Sequence, residues 1–342
     1  MFLLMFLLAG IPTIHADESE RLKAFNTHWQ AAQQAMDGKN YGQAATSYEK
    51  ILETFPFEPT THYQLACCRA RQGVGDKALA ALGQAISFGW CDLKQLEQTE
   101  DFKELRSRKE FTQLVADATA CQKEMFVLYA GKGVEVSKAA PLVVLLQGLG
   151  AGPRTEVPYW KQTVDELGLV LVAPRGVTEI RPMFYGWHRP GAKDSTALDY
   201  YDLLGAEKRV DEAILQARSR FNIASDRMFL AGYSQGGGVA LHLQGKYPER
   251  FAGTVVVNSL SQSSGIDFWK AAALKKAFRV ALLSGKVDRL LPRSQAMAAQ
   301  LRSAGITVLA EEEEGVGHEY PVDYQNRLTT AFKFVLNPSA SR

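Results

Sequence analysis

A mainly parallel α/β sheet with helices on both faces, preceded by an all-α repeat region, is the fold class this 342-residue sequence predicts. Two observations carry that prediction. An apolar run ends in Gly232-Tyr233-Ser234-Gln235-Gly236 and leads directly into a helix-forming stretch, the pattern of a strand turning sharply into a helix. Upstream, small and apolar residues recur at a 34-residue spacing inside a helical pattern.

In chain order, the sequence opens with Met1-Phe2-Leu3-Leu4-Met5-Phe6-Leu7-Leu8-Ala9, then Gly10 and Pro12, then Ile14-His15-Ala16 before Asp17-Glu18. A short apolar core, a helix breaker and a small residue at the cut resemble a secretory signal, although no Lys or Arg precedes the core. Residues 1–16 are therefore expected to be a leader cleaved after Ala16, with export to the periplasm or the extracellular medium.

Residues 17–120 form the expected helical domain. Ala44, Tyr48, Ile51 and Pro56 follow the second-helix spacing of a tetratricopeptide repeat, and a shift of 34 carries Ala44 to Ala78, Tyr48 to Leu82 and Ile51 to Ala85. In the preceding helices Ala31 and Ala32 map onto Leu65 and Ala66, and Gly38 and Gly73 mark the turns. One such repeat cannot bury its apolar face alone, so the two are expected to stack on capping helices around 93–115. The resemblance implies a groove for a protein or peptide partner; a spacer without ligand is the alternative. Cys67, Cys68, Cys91 and Cys121 all lie in or beside this region. An even count in an exported chain permits disulfides, while Cys67 and Cys68 equally suit small buried apolar positions.

The remainder, 121–338, carries the chemistry. The run 141–146 reads as a strand feeding Gln147-Gly148-Leu149-Gly150, whose glycines let backbone amides turn inward. Leu149 is the expected amide donor there. Pro153 stands where a dinucleotide-binding loop needs its third glycine, which excludes that use. Phe184, Tyr185, Trp187, Tyr200 and Tyr201 form an aromatic segment, expected to serve partly as pocket wall and partly as packing. Asp199 and Asp202 within it are expected to face solvent rather than to act as an acid–base pair.

Ser234 occupies the centre of the strand-to-helix turn, where its hydroxyl projects above the sheet edge. Gly232 and Gly236 avoid collisions across that turn, and the helix beginning at Gln235 aims amides at the hydroxyl. A serine nucleophile needs a base. Of six histidines, His15 lies in the leader, His28 and His62 in the helical domain, and His242 on the helix after the turn, directed away. His188 reads as a pocket or packing residue. Folds with this turn run serine, acid, histidine along the chain, which selects His318, in a loop (315–321) between a strand at 307–310 and a final helix. The acid candidates are Glu249, Asp267, Asp288 and the run 311–314. Asp288 follows the apolar strand 280–283 through a short turn and leaves the same sheet edge as Ser234; a cap before the helix near Pro292 is its alternative role. Asp267 reads as part of a Ser-rich loop, and the glutamate run as a solvated strand end.

These pieces, with Lys246-Tyr247-Pro248-Glu249-Arg250-Phe251-Ala252-Gly253 and Gly317-His318, make residues 124–336 resemble the esterase branch of the α/β-hydrolases. The likeness is to carboxylesterase/phospholipase-like and polyhydroxyalkanoate-depolymerase or feruloyl-esterase-like members. It implies two-step hydrolysis of a small-molecule or polymer-derived ester, with Ser234 attacking, His318 as base, Asp288 orienting it, and the amides of Leu149 and Gln235 as oxyanion hole. It implies no metal and no organic cofactor. The chain departs from those esterases at Gln147, where they usually carry histidine. A repeat-based interaction protein with a silent hydrolase domain and a serine peptidase with the same triad are the alternatives. A formal net charge of +2 with intermixed signs gives no nucleic-acid footprint, and no apolar run is long enough for a transmembrane helix.

Overall fold

The computed structural model describes residues 19–192, 200–259 and 265–337; the expected leader and Asp199 lie outside the described residues. The chain divides into two compact units, the first comprising Glu20–Glu124 with Arg181–Met183, the second containing Met125–Ile180 and the chain from Phe184 onward.

Residues 20–124 of the first unit form helices: α1 (Glu20–Asp37), α2 (Tyr41–Thr54), α3 (Pro59–Arg71), α4 (Gly75–Ser87), α5 (Leu93–Gln98), a 3-10 turn (Glu100–Leu105) and α6 (Lys109–Lys123). α1 packs on α2, α2 on α3, α3 on α4, and α4 on α6. The starts of α2 and α4, Tyr41 and Gly75, lie 34 residues apart. Ala44, Tyr48 and Ile51 are buried, as are Ala78, Leu82 and Ala85 one period later. Aromatic contacts fill the space between helices: Trp29 meets Tyr48 edge-on at 5.5 Å, and Tyr63 stacks on Trp90 at 4.0 Å. Gly73 turns the chain between α3 and α4 at φ +73°, which a side chain would strain. All four cysteines are buried, and none forms a disulfide. Cys68 donates to the Met36 sulfur at 3.3 Å, and burial pushes its thiol up to about 12, so it sits as a neutral core group.

The second unit is built on a seven-stranded sheet of order β1 (Phe126–Ala130), β3 (Val170–Pro174), β2 (Ala140–Leu146), β6 (Ile223–Tyr233), β7 (Gly253–Val257), β8 (Arg279–Gly285), β9 (Thr307–Glu313). Only β1 runs antiparallel to its neighbour; the other pairs are parallel. β4 (Thr178–Arg181) and β5 (Phe184–Gly186) form a separate two-stranded sheet. Parallel strands covered on both faces need apolar residues at every position, and β2 is buried along its whole length. Leu142, Val144 and Leu146 point into one cluster with residues of α8 (Leu203–Arg218), α9 (Ser234–Lys246), α10 (Ile266–Lys275) and α11 (Leu291–Ser303). Val143 and Leu145 point into the other, with α7 (Pro153–Leu167) and α12 (Tyr324–Leu336). The strand period of two thus divides the core into two layers.

Two expectations need correction. Asp267 sits in the first turn of α10 rather than in a loop, where its charge complements the helix dipole. Asp202 is half-buried and caps α8 by accepting from the Gly205 N–H at 3.0 Å. The strand expected at 307–310 runs on to Glu313, so the glutamate run forms its end as expected, with Arg327 of α12 pairing with Glu311 (3.1 Å) and Glu313 (3.0 Å).

Candidate active site

Parallel strands deliver their C-terminal ends to one edge, and four of them end in the residues singled out by sequence. β6 passes into α9 at Ser234, whose φ of +50° is a left-handed conformation that strains a residue with a side chain. The two glycines make that turn possible, each in its own way. A Cβ on Gly232 would lie 2.5 Å from the Gly236 carbonyl carbon, the expected collision across the turn. A Cβ on Gly236 would instead lie 2.1 Å from the Leu146 carbonyl oxygen, so this glycine admits the end of β2.

The structure brings Ser234, His318 and Asp288 together. His318 Nε2 lies 2.8 Å from Ser234 Oγ, and His318 Nδ1 lies 2.9 Å from Asp288 Oδ2. Asp288 is 4% exposed and its other oxygen accepts from the Leu290 N–H at 2.9 Å, so its capping role coexists with the histidine contact. Such a relay can hold one imidazole tautomer and accept the serine proton.

On the opposite side of Ser234, the loop after β2 presents three consecutive amides. The Gly148 N–H donates to Glu156 Oε1 at 3.2 Å and the Gly150 N–H to the Tyr185 carbonyl at 2.8 Å. The Leu149 N–H between them has no acceptor among the described residues. The Gln235 N–H belongs to the first turn of α9, whose amides lack intrahelical partners. Gln147 is buried, and its amide satisfies both neighbours when its NH2 faces the Pro174 carbonyl (2.8 Å) and its oxygen the Gly176 N–H (2.7 Å). It therefore ties the donor loop to the segment after β3.

The aromatic segment is more core than pocket surface. Trp187, Tyr200 and Tyr201 join the buried cluster under the sheet. They are fixed to the site by Gln235, whose side-chain oxygen accepts from the Trp187 N–H (2.8 Å) and whose NH2 donates to Tyr200 OH (3.1 Å). Trp187 Nε1 donates to the Gln147 carbonyl at 2.9 Å. His188 stacks on Tyr200 at 5.5 Å and burial holds its imidazole below the ordinary range. His242 stacks on Phe268 at 5.8 Å, within the helical layer.

Four supporting residues escaped the sequence reading. Asn258, at φ +46° after β7, donates to the carbonyls of Gly317 (3.2 Å) and Glu319 (2.5 Å) and accepts from the Gly285 N–H (2.9 Å). It joins the acid and histidine loops; an asparagine directly after a valine-rich strand was the available signal, since asparagine tolerates positive φ. Tyr233 OH donates to the His318 carbonyl at 2.7 Å. Tyr320 OH donates to Glu156 Oε2 at 2.6 Å while accepting from Trp160 Nε1 at 3.0 Å. Glu156 is enclosed, and burial pushes its carboxyl up to about 7. Nothing in the sequence separates it from an ordinary glutamate at a helix start. Among the described residues no group of three His, Cys, Asp or Glu side chains could hold a metal ion, and no helix is long and apolar enough to cross a membrane.

The phospholipase/carboxylesterase family model matches residues 134–334. A bifunctional acetylxylan esterase/xylanase of Neocallimastix patriciarum is 24% identical over 158 residues, 46% of this chain and 20% of that protein, so the chain spans about a fifth of its length. Among solved structures, an uncharacterized protein from Bacillus cereus ATCC 10987 aligns with TM-score 0.49 and 18% identity over 90% of this chain and 97% of its own. The Bacillus cereus carboxylesterase aligns with TM-score 0.48 and 19% identity over 62% and 96%. The family match covers more than half of the chain and includes every strand from β2 to β9. The chain belongs to the phospholipase/carboxylesterase family of α/β-hydrolases.

Proposed function

We propose that this protein is a serine esterase that hydrolyses carboxylic esters through an acyl-enzyme. The observation that carries the reading is the continuous path from Ser234 Oγ through His318 to Asp288, with contacts of 2.8 and 2.9 Å. Ser234 Oγ attacks the ester carbonyl while His318 Nε2 takes its proton. The carbonyl oxygen becomes an oxyanion, received by the N–H groups of Leu149 and Gln235. Collapse breaks the bond to the alcohol oxygen, which leaves with the proton returned by His318. Water then repeats the sequence on the acyl-serine, releasing the carboxylic acid and free Ser234. Asp288 keeps the imidazole oriented and favours its protonated form in both steps.

Small acyl esters are the first substrates to test, because the relative from Neocallimastix patriciarum is named a bifunctional acetylxylan esterase/xylanase. Peptide bonds use the same machinery, and a silent hydrolase domain would present the same fold. A fluorophosphonate probe together with nitrophenyl esters of graded chain length separates these readings. Labelling at Ser234 with turnover of short esters is the expected result; absence of both would leave a scaffold, and peptide cleavage without ester turnover a peptidase. We further propose that the helical unit is tetratricopeptide-like and that the chain is exported after cleavage behind Ala16. The matched burial of Ala44 with Ala78 and of Tyr48 with Leu82 supports the first, and mass determination of the mature N-terminus tests the second.

A further inference from the structure

A carboxyl group enclosed in a protein is a costly arrangement, and Glu156 has no part in the proton path from Ser234 to Asp288. It is nevertheless bound at both oxygens. Oε1 accepts from the Gly148 N–H (3.2 Å) in the loop that carries Leu149, and Oε2 accepts from Tyr320 OH (2.6 Å), two residues after His318. Tyr233, immediately before Ser234, stacks on Tyr320 at 5.0 Å and donates to the His318 carbonyl. The groups arranged around the carboxyl are therefore Gly148, Tyr320, Tyr233 and, through its charge, His318. Gly148 itself has no room to move toward the tyrosine, because a Cβ there would stand 2.7 Å from the Tyr233 ring.

We propose that Glu156, in its ionised form, is a positioning residue that clamps the donor loop of Leu149 to the loop of His318, so that its protonation loosens the oxyanion hole. The inference rests on the reading of Ser234 as nucleophile. Its chemistry follows from donor and acceptor counts. Both oxygens face a donor, so the ionised carboxylate satisfies the two N–H and O–H groups at once. A proton on either oxygen adds a hydrogen between these donors and weakens the carboxyl as an acceptor, so one of the two bonds loosens. If the Gly148 bond is the one loosened, the neighbouring Leu149 N–H loses its aim, and small misplacements at a reacting centre are expensive in rate. A negative charge here also favours the imidazolium that His318 becomes during the reaction. Because burial raises the carboxyl toward neutrality, the switch falls in the range where the enzyme would work.

The test is the pH profile of kcat on a nitrophenyl ester for the full chain, Glu156→Gln and Tyr320→Phe, beside fluorophosphonate labelling of each. Glutamine keeps the shape but offers one acceptor and one donor to two donors. We expect kcat in Glu156→Gln to fall about 10-fold to 100-fold with KM little changed. The acid limb of wild type should be steeper than that of Glu156→Gln, which lacks the Glu156 proton. Tyr320→Phe removes a hydrogen bond that favours the carboxylate, so its acid limb should move to higher pH. Wild-type kcat and acid limb in a folded Glu156→Gln, or a faster enzyme, would overturn the proposal; should that variant not fold, an unmoved limb in Tyr320→Phe does so. Wild type that is neither labelled nor active refutes the nucleophile assignment instead, so the two failures are distinct.

Discussion

The two sides of Ser234 are held by different chemistry. On the acid–base side, Asn258 links Gly285 to Gly317 and Glu319 through neutral hydrogen bonds, and Asp288 is anchored by the Leu290 amide. On the oxyanion side, the loop around Leu149 hangs from an ionisable carboxyl, Glu156, and from the amide of Gln147. Neutral amides make most of the first arrangement, with the Glu319 carboxylate adding a contact to the Gly317 N–H at 3.3 Å. The second changes when one buried group takes up a proton. Proton transfer and oxyanion binding should therefore respond to different perturbations, although the groups proposed to perform them lie at one sheet edge.

The largest effects should come from the residues that exchange the proton. Ser234→Ala and His318→Ala are each expected to reduce ester turnover about 10⁶-fold, with the double variant no worse, because the pair acts as a unit. Asp288→Asn should cost somewhat less, about 10⁴-fold, since the imidazole stays present but poorly oriented. Single-turnover kinetics on folded variants, checked by circular dichroism, measure both.

Stability distinguishes the two sides more directly. The folded-state carboxyl of Glu156, pushed up to about 7, lies above its unfolded value, so its contribution is fully present at acid pH and is lost as pH rises through neutrality. We expect wild type to lose about 3 kcal/mol relative to Glu156→Gln between pH 4.5 and pH 8, read from urea midpoints of the two proteins. The direction matters: the ionised form proposed to hold the Leu149 loop is the one that costs folding free energy, a pattern found at functional sites. A constant difference across that range would show that the carboxyl is not a distinctive feature of this side.

Smaller effects sharpen the acid–base side. Asn258→Ala should lower kcat about 10-fold, by freeing the loops that bear Asp288 and His318, with the pH profile unchanged in shape. His188→Ala should leave kcat within about 3-fold, because its ring packs on Tyr200 and has no contact with Ser234. Collapse of turnover in folded His188→Ala with survival in His318→Ala would reverse the assignment of the base.

The sequence was most informative where local geometry restricts residue type. Gly232 and Gly236 identify the turn at Ser234 because no side chain fits there, and the unbroken apolar run of β2 marks a strand covered on both faces. The 34-residue spacing likewise anticipates the starts of α2 and α4. Legibility falls where a role depends on residues far apart in the chain. Glu156 meets Tyr320 across 164 positions and Asn258 meets Gly317 across 59, contacts without a periodic signature. Asp202 and Asp267 were misread for a related reason: an acidic residue at a helix start looks like one in a loop until the helix boundary is known. The aromatic segment 184–201 was legible as apolar and not as core, because burial of Trp187 and Tyr200 is arranged by Gln235 from another strand end.

The central claim is that Ser234 becomes acylated. Rapid quenching of the full chain with a nitrophenyl ester, followed by intact-mass and peptide analysis, tests it most directly. A burst of nitrophenol is expected, with an acyl group mapped to Ser234, absent from Ser234→Ala and strongly slowed in His318→Ala. Steady ester turnover in Ser234→Ala, or an acyl group carried on another residue of the active protein, would contradict it.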